Sequence, residues 1–418
     1  MKKLCKKFEF LFTKEKIKIY IYTCSQLISF LMAFLTNLFF TRYADPTGYG
    51  EYRYATNFLL TIPTFFAFGI PFCCSRLIAR DSSDEKHKVL TAGFYVTSIL
   101  SVVVSLGLYL VSLTGRFDKL GKVQMVFPFI IIFALKNLFI QVYQGTGKTN
   151  RYAVFTLAQN LIVLLGIFVG NKIYGELPFK WCIIVFILSN TLTMIPILSR
   201  MRYRTDKDSF GTLISEIKLN GIHMYCSSII TTSASNLIAL ICGSQYGFAE
   251  YGYYSLALSF ARCFTLISSA MTVVKFRDNV KQRFIKKSDM LFMGALNAII
   301  YGVFIIFGKP IFFIFFSKEY AIAYDYLVIL GIAYLFDGMT LYFNRFFVAR
   351  GRGDTVVKNS IITSVVNIAV SVALIPKFEI KGLVSATVIS ATFNLIQYIV
   401  SYLAYRKKEI KEINLQEK

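Results

Sequence analysis

The side chains of this chain that could do chemistry are charged or amide groups set inside long apolar runs. Lys136, Arg262, Lys309 and Arg345 are cations in such runs, and Asp337 is the one acid deep in one. A charge in hydrocarbon costs roughly 2.5–3.5 kcal/mol on insertion scales, so it is usually kept for a reason. Arg262 lies near the middle of its run, too deep to snorkel. Lys136 sits about two helical turns from the end of its run. Arg345 lies close to an end, where snorkelling explains it equally well. Lys309 precedes Pro310 at an expected helix break and takes a structural reading. Cations with few acids among them attract anions, and guanidinium forks suit phosphate and carboxylate oxygens. Arg42, Arg53 and Arg76 flank the first two runs and would extend the same cationic path, with ordinary loop charge as the alternative. Asn137 and Gln141 adjoin Lys136, Asn344 shares a helix face with Asp337, and Asn236 ends a Ser/Thr-rich stretch. These four amides are read as cavity lining and Asp337 as a candidate for ion coupling. Two plainer readings stand beside this one. The Ser and Thr hydroxyls could only glue helices together. Arg262 and Asp337 could form a buried ion pair that only holds the bundle.

The elements that must carry these groups are membrane-spanning helices. Of 418 residues, 56% are hydrophobic and 17% charged. Soluble domains run nearer 45–50% and about 25%. A span needs about 20 apolar residues. The sequence predicts an all-α polytopic membrane protein of about twelve spans: 19–41, 54–76, 89–113, 123–143, 152–174, 179–198, 221–242, 253–274, 290–316, 323–347, 356–376 and 383–405. Gly308-Lys309-Pro310 should kink or end the ninth, and Pro63 and Pro71 give the second two kink sites.

The net charge of +23 does not point to nucleic acid. Lys and Arg gather in the loops of one face, which sets orientation and puts both termini in the cytoplasm. Most of the eight cysteines lie within apolar runs and read as small hydrophobes. They and the two histidines show no metal-site spacing, so no metal and no cofactor is expected. Gly145-Thr-Gly-Lys-Thr149 imitates a phosphate-binding loop, but Val142 stands where that motif needs Gly. No catalytic set is present, and the chain reads as no enzyme.

The chain also repeats itself. Ala44-Asp-Pro-Thr-Gly-Tyr-Gly-Glu-Tyr-Arg-Tyr54 is echoed by Phe248-Ala-Glu-Tyr-Gly-Tyr-Tyr254, Gly50 answering Gly252 and Tyr52 answering Tyr254. The tyrosines read as an interfacial anchor. Gly-rich basic turns after spans four and ten make a second echo. The expected organisation is an N-terminal six-helix lobe over 1–200, a cytoplasmic linker over 201–220 and a C-terminal six-helix lobe over 221–418. Their pseudo-twofold axis should run along the membrane normal.

Arg42-Tyr-Ala-Asp-Pro-Thr-Gly-Tyr-Gly-Glu-Tyr52 resembles the first-loop signature of polysaccharide flippases. Phe68-Gly-Ile-Pro71 with Ser75-Arg76-Leu-Ile-Ala79 resembles the end of their second span. Phe316-Ser-Lys-Glu-Tyr320, Gln144-Gly145 and Ala349-Arg-Gly351 resemble their later turns. The family is that of Wzx-type O-antigen or capsule flippases in the MATE-like superfamily. The resemblance implies two six-helix lobes around a cationic cavity in the bacterial inner membrane. It implies transfer of an undecaprenyl-diphosphate-linked oligosaccharide from the cytoplasmic to the periplasmic leaflet by alternating access. A proton or sodium gradient would drive it, and a polysaccharide polymerase is a candidate partner. Arg42 and Arg76 match Arg positions of the family. A MATE-type multidrug or cation antiporter is the alternative, ranked lower because Asp337 is the one acid it could use.

Overall fold

In the computed structural model, residues 14–80, 83–115, 118–146, 149–199, 201, 205–265, 268–269, 272 and 282–416 are described. They are almost entirely helical. Eight of the helices among them are long and apolar enough to cross a membrane, or nine if one bent pair counts as a single span. The last of the eight holds two limbs, because Glu379 breaks it with φ 53. Two of the twelve expected spans fall short of that test. The first is covered by a shorter apolar helix, Ile28–Tyr43, and part of 253–274 lies outside the described residues.

The chain divides into two compact units. The first is Met1–Ala44 with Ala55–Ser228, and the second is Asp45–Tyr54 with Ile229–Lys418. Two boundaries differ from the expected ones. Residues 45–54 group with the second unit, and the first runs on to Ser228.

In the first unit, α1 (Lys14–Tyr43) packs along α6 (Thr149–Tyr174), which packs on α7 (Phe179–Leu198). Gly166 and Gly170, one turn apart on α6, let α7 come close. A Cβ at either would strike Val185 or Trp181, and the Trp181 indole N–H donates to the Gly166 carbonyl at 2.9 Å. Small residues are what permit such approach where lipid offers no hydrophobic drive. The helix α2 (Pro46–Phe66) and α3 (Ile70–Arg80) form an apolar pair bent by 73°. The break lies at Phe68 and Gly69, both at positive φ, and not at either expected proline. Pro63 stays inside α2. Pro71 sits in the first turn of α3, where a missing N–H costs nothing. The break is held by neighbours. Gly69 lies so close to the Gly221 carbonyl that a Cβ would come within 2.4 Å of it. The Tyr225 hydroxyl donates to the Phe65 carbonyl, satisfying a group that the bend releases.

The helix α4 (Ser83–Leu113) and α5 (Ile130–Gly145, after a 3-10 stretch over Asp118–Phe129) complete this unit's core with α3. Ile70, Cys73, Cys74, Leu77, Val89, Leu138 and Leu213 pack together there. Leu213 belongs to α8 (Lys207–Glu216), a short helix inside the stretch expected to be a linker. A π-turn, Ile217–Gly221, joins it to α9 (Ile222–Thr232).

In the second unit, a further π-turn, Ser233–Leu237, leads into α10 (Ile238–Tyr246). Then come α11 (Phe248–Ala261), α12 (Lys287–Phe315), α13 (Ala321–Ala349) and α14 (Gly353–Gln416). α12 runs unbroken through Gly308-Lys309-Pro310, and Lys309 is exposed. α13 packs on α11, α12 and α14. The Tyr residues of both echoes are not an interfacial belt. Tyr49, Tyr52, Tyr54, Tyr251 and Tyr254 are buried, with Tyr54 edge-on to Phe248 and Tyr251. The reason is the pair Gly50 and Gly252. With no side chain between them, the first turns of α2 and α11 touch backbone to backbone, and the flanking rings are enclosed.

Candidate functional site

In the first unit Lys136 on α5 is gripped by amides. Its ammonium donates to Gln159 Oε1 at 2.7 Å and to Asn190 Oδ1 at 2.8 Å, with the Phe155 ring 6.0 Å away. Asn190 is fully buried, and its own N–H goes to the Phe186 carbonyl at 2.7 Å, which fixes the amide with its oxygen toward the lysine. No carboxylate pairs with Lys136 among the described residues. Asn137 and Gln141, beside it in sequence, are half-buried. The partners that hold the charge, Gln159 and Asn190, come from α6 and α7. Each is an amide in an otherwise apolar run, and that was the signal for them.

Arg76 on α3 is engaged by a carboxylate: Glu216, at the end of α8, lies 3.2 Å from it, and the Glu216 side chain is largely enclosed. Arg42 is exposed in the last turn of α1, where the helix dipole favours a cation.

The second unit holds the other charged groups. Arg53 donates through Nε to Ser255 Oγ at 2.7 Å and through a terminal nitrogen to Ser259 Oγ at 3.1 Å. Ser255, Ser259 and Arg262 fall at helical spacing of four and three, so they share one face of α11 and its 3-10 extension. That face therefore carries two guanidinium groups, one bound to it from α2 and one of its own. The Arg262 side chain is exposed, and its polar neighbours are the phenols of Tyr334, Tyr254 and Tyr251. Tyr334 and Asp337 lie three apart on α13. Arg262 and Asp337 form no ion pair with each other, and no cation pairs with Asp337 among the described residues. The helix-tying pair that the sequence left open is not formed. Asn344 donates to the Tyr398 hydroxyl at 2.9 Å and so ties α13 to α14. Arg345 is exposed and Asn236 is half-buried in the second π-turn. Ser255, Ser259 and Tyr334 were missed by sequence reasoning, although the four-and-three spacing to Arg262 was there to read.

Chemically, a face with two guanidiniums, hydroxyls that orient one of them and, among the described residues, no neutralising carboxylate on the other suits an anion with several oxygens.

A family model described as polysaccharide biosynthesis protein matches residues 17–276, well over half of the chain. The chain belongs to this polysaccharide biosynthesis family. Among its relatives is the capsular polysaccharide biosynthesis protein CapF of Staphylococcus aureus. It is 22% identical over 407 residues, which cover 90% of this chain and 96% of that one. The fold of this family member is that of solved transporters. The lipid II flippase MurJ in its inward closed conformation has a TM-score of 0.72 at 16% identity, over 91% of this chain and 87% of that one. An inward-facing MATE multidrug resistance transporter of the MOP superfamily has a TM-score of 0.70 at 14% identity, over 91% and 94%. The chain is thus a multi-pass membrane protein of this polysaccharide biosynthesis family, with a MATE-like, MurJ-like fold.

Proposed function

We propose that this protein flips undecaprenyl-diphosphate-linked oligosaccharide repeat units from the cytoplasmic to the periplasmic leaflet by alternating access. In this reading it resides in the bacterial inner membrane with both termini in the cytoplasm. A proton or sodium gradient drives it, with Asp337 as the coupling group, and it performs no catalysis. A polysaccharide polymerase would take its product.

The observation that carries the reading is Arg262. It is exposed in the second unit with phenols around it, and no carboxylate pairs with it among the described residues. A diphosphate supplies the missing counter-charge, and Arg53, oriented on the same face by Ser255 and Ser259, adds a second fork. In the same reading Arg42, Arg76, Arg345 and Lys136 are the further cationic groups that serve the substrate, and Asn137, Gln141, Asn236 and Asn344 are its polar lining.

The test is complementation of a host lacking its own flippase. Arg262→Ala should abolish surface polysaccharide, and Arg262→Lys should restore part of it, because the charge returns without the fork. Full surface polysaccharide with Arg262→Ala would remove Arg262 from the mechanism. Asp337, with which no cation pairs among the described residues, favours one second reading, a cation or drug antiporter. Drug resistance conferred on a pump-deficient strain, and lost with Asp337→Asn, would select it.

A further inference from the structure

The two limbs of α14, 353–378 and 380–416, lie beside a groove of about 770 Å³ within the second unit. Its chemistry changes along its length. One end presents Arg352, Lys358 and Lys408. The acid there is Asp354, and it forms no ion pair with Arg352 or Lys358 among the described residues. Arg352 is steadied by the Tyr405 ring, 5.6 Å from its guanidinium carbon. The floor is a ladder of amides and hydroxyls that satisfy one another. Gln397 donates to Asn359 at 3.1 Å, and Asn359 donates to Ser401 at 3.2 Å. The walls are apolar, and Ile396 and Val400 are more than half exposed, at 55% and 58%.

Basic residues at the end of a span serve orientation, but orientation needs neither a groove nor a ring under one of the cations. A cationic mouth that opens onto a lipid-facing apolar wall matches an amphiphile with a negative head. The amides and hydroxyl of Asn359, Gln397 and Ser401 already bond to one another and the walls beside them are apolar, so a simple head and a chain fit better than a glycan. We propose that this groove binds one anionic glycerophospholipid, its phosphate on Arg352 and Lys358 and an acyl chain along Ile396 and Val400. The site uses different helices from the Arg53–Arg262 face and does not depend on the substrate assigned to that face.

The experiment is native mass spectrometry of the purified full chain titrated with phosphatidylglycerol or with phosphatidylcholine of the same acyl chains. Phosphatidylglycerol should stay bound under activation that strips phosphatidylcholine. Arg352→Gln combined with Lys358→Gln should weaken that binding by at least about tenfold, as two cations near an anionic head imply. Val400→Trp, which keeps every charge and fills the wall, should weaken it as well. Equal retention of the two lipids by the unaltered chain would overturn the proposal without any variant. So would variants that bind phosphatidylglycerol as the parent does. Displacement of phosphatidylglycerol by undecaprenyl phosphate at equal concentration would also overturn it, in favour of an isoprenoid occupant.

Discussion

Lys136 shows how a membrane protein keeps a charge in its interior without an acid. An ammonium has three protons to place, and two of them go to amide oxygens on two other helices. The arrangement is asymmetric in energy. Removing an acceptor leaves a buried cation short of a partner, whereas removing lysine and acceptor together takes the charge away and leaves the Gln159 amide as the polar group to satisfy. Asn190→Leu should therefore lower stability in detergent by about 1–3 kcal/mol, while Lys136→Met combined with Asn190→Leu should recover part of that loss. Thermal unfolding of the four proteins of this cycle, followed by loss of monodisperse protein, measures the coupling. Additive losses would show that the amide does not hold the lysine. Export by the double variant then separates the two roles of Lys136. A variant that folds and exports normally would place Lys136 in the packing, and one that folds and fails would keep it on the path.

At the scale of elements, the stretch after span six is more than a tether. Asp206 caps α8, its carboxylate accepting from the Ser209 N–H at 2.9 Å and from the Ser209 hydroxyl at 2.6 Å. Lys88, at the start of α4, reaches the other oxygen at 2.6 Å. These bonds, that from Lys88 foremost, hold the carboxyl well below its ordinary value of 3.8. A carboxyl lowered in the folded state contributes its full stabilisation above the unfolded value and loses it only as pH falls through the lower folded one. Amide exchange protection of 207–216, corrected for intrinsic rates, should then be flat from pH 8 to about 5. Asp206→Asn should lower that protection at every pH in that range. Protection that already falls between pH 7 and 5 would point to another titrating group. The cap was visible in Asp206-Lys-Asp-Ser209 as an acid three residues before a serine, yet the charge-rich composition of 199–220 hid it. The bend between α2 and α3 was partly visible too. Prolines drew attention to the region, but the turn itself was made by Gly69, whose need for positive φ and close approach depends on Gly221, distant in sequence.

For the whole molecule, what could be read beforehand was what periodicity and composition control. Helical class, membrane residence and most span positions follow from runs of apolar residues, which any stretch of chain displays by itself. Contacts between distant stretches do not. Gln159, Asn190, Ser255 and Ser259 became meaningful only once helices were placed side by side, and Tyr49 and Tyr251 looked interfacial until their neighbours enclosed them. The internal echo is a partial exception, since it paired two distant glycines as equivalent positions without saying that they touch. Gly50 and Gly252 answer each other in the two copies, and the structure brings them together, with Asp45–Tyr54 grouped in the same unit as the second copy.

That pairing makes a graded demand on size. A Cβ on Gly50 would lie 1.7 Å from the Phe248 carbonyl oxygen, so the helices must part. A Cβ on Gly252 would lie 2.8 Å from the Pro46 carbonyl oxygen and 3.1 Å from the Gly50 Cα, a milder intrusion. Gly302 on α12 has nothing within 4 Å and serves as the control for the general effect of Gly→Ala in a helix. Overpacking of a tight contact costs about 1–3 kcal/mol, whereas Ala in an open helical position gains up to about 1 kcal/mol. The expected order of apparent melting temperature is therefore Gly302→Ala at or above the parent, Gly252→Ala below it and Gly50→Ala lowest. Separation of the two helices would also expose the rings of Tyr54 and Tyr251, so Gly50→Ala should increase tyrosine quenching by acrylamide as well. If Gly50→Ala melted with Gly302→Ala, the first turns of α2 and α11 could not be in backbone contact. The duplication would then be a likeness of sequence without a shared seam.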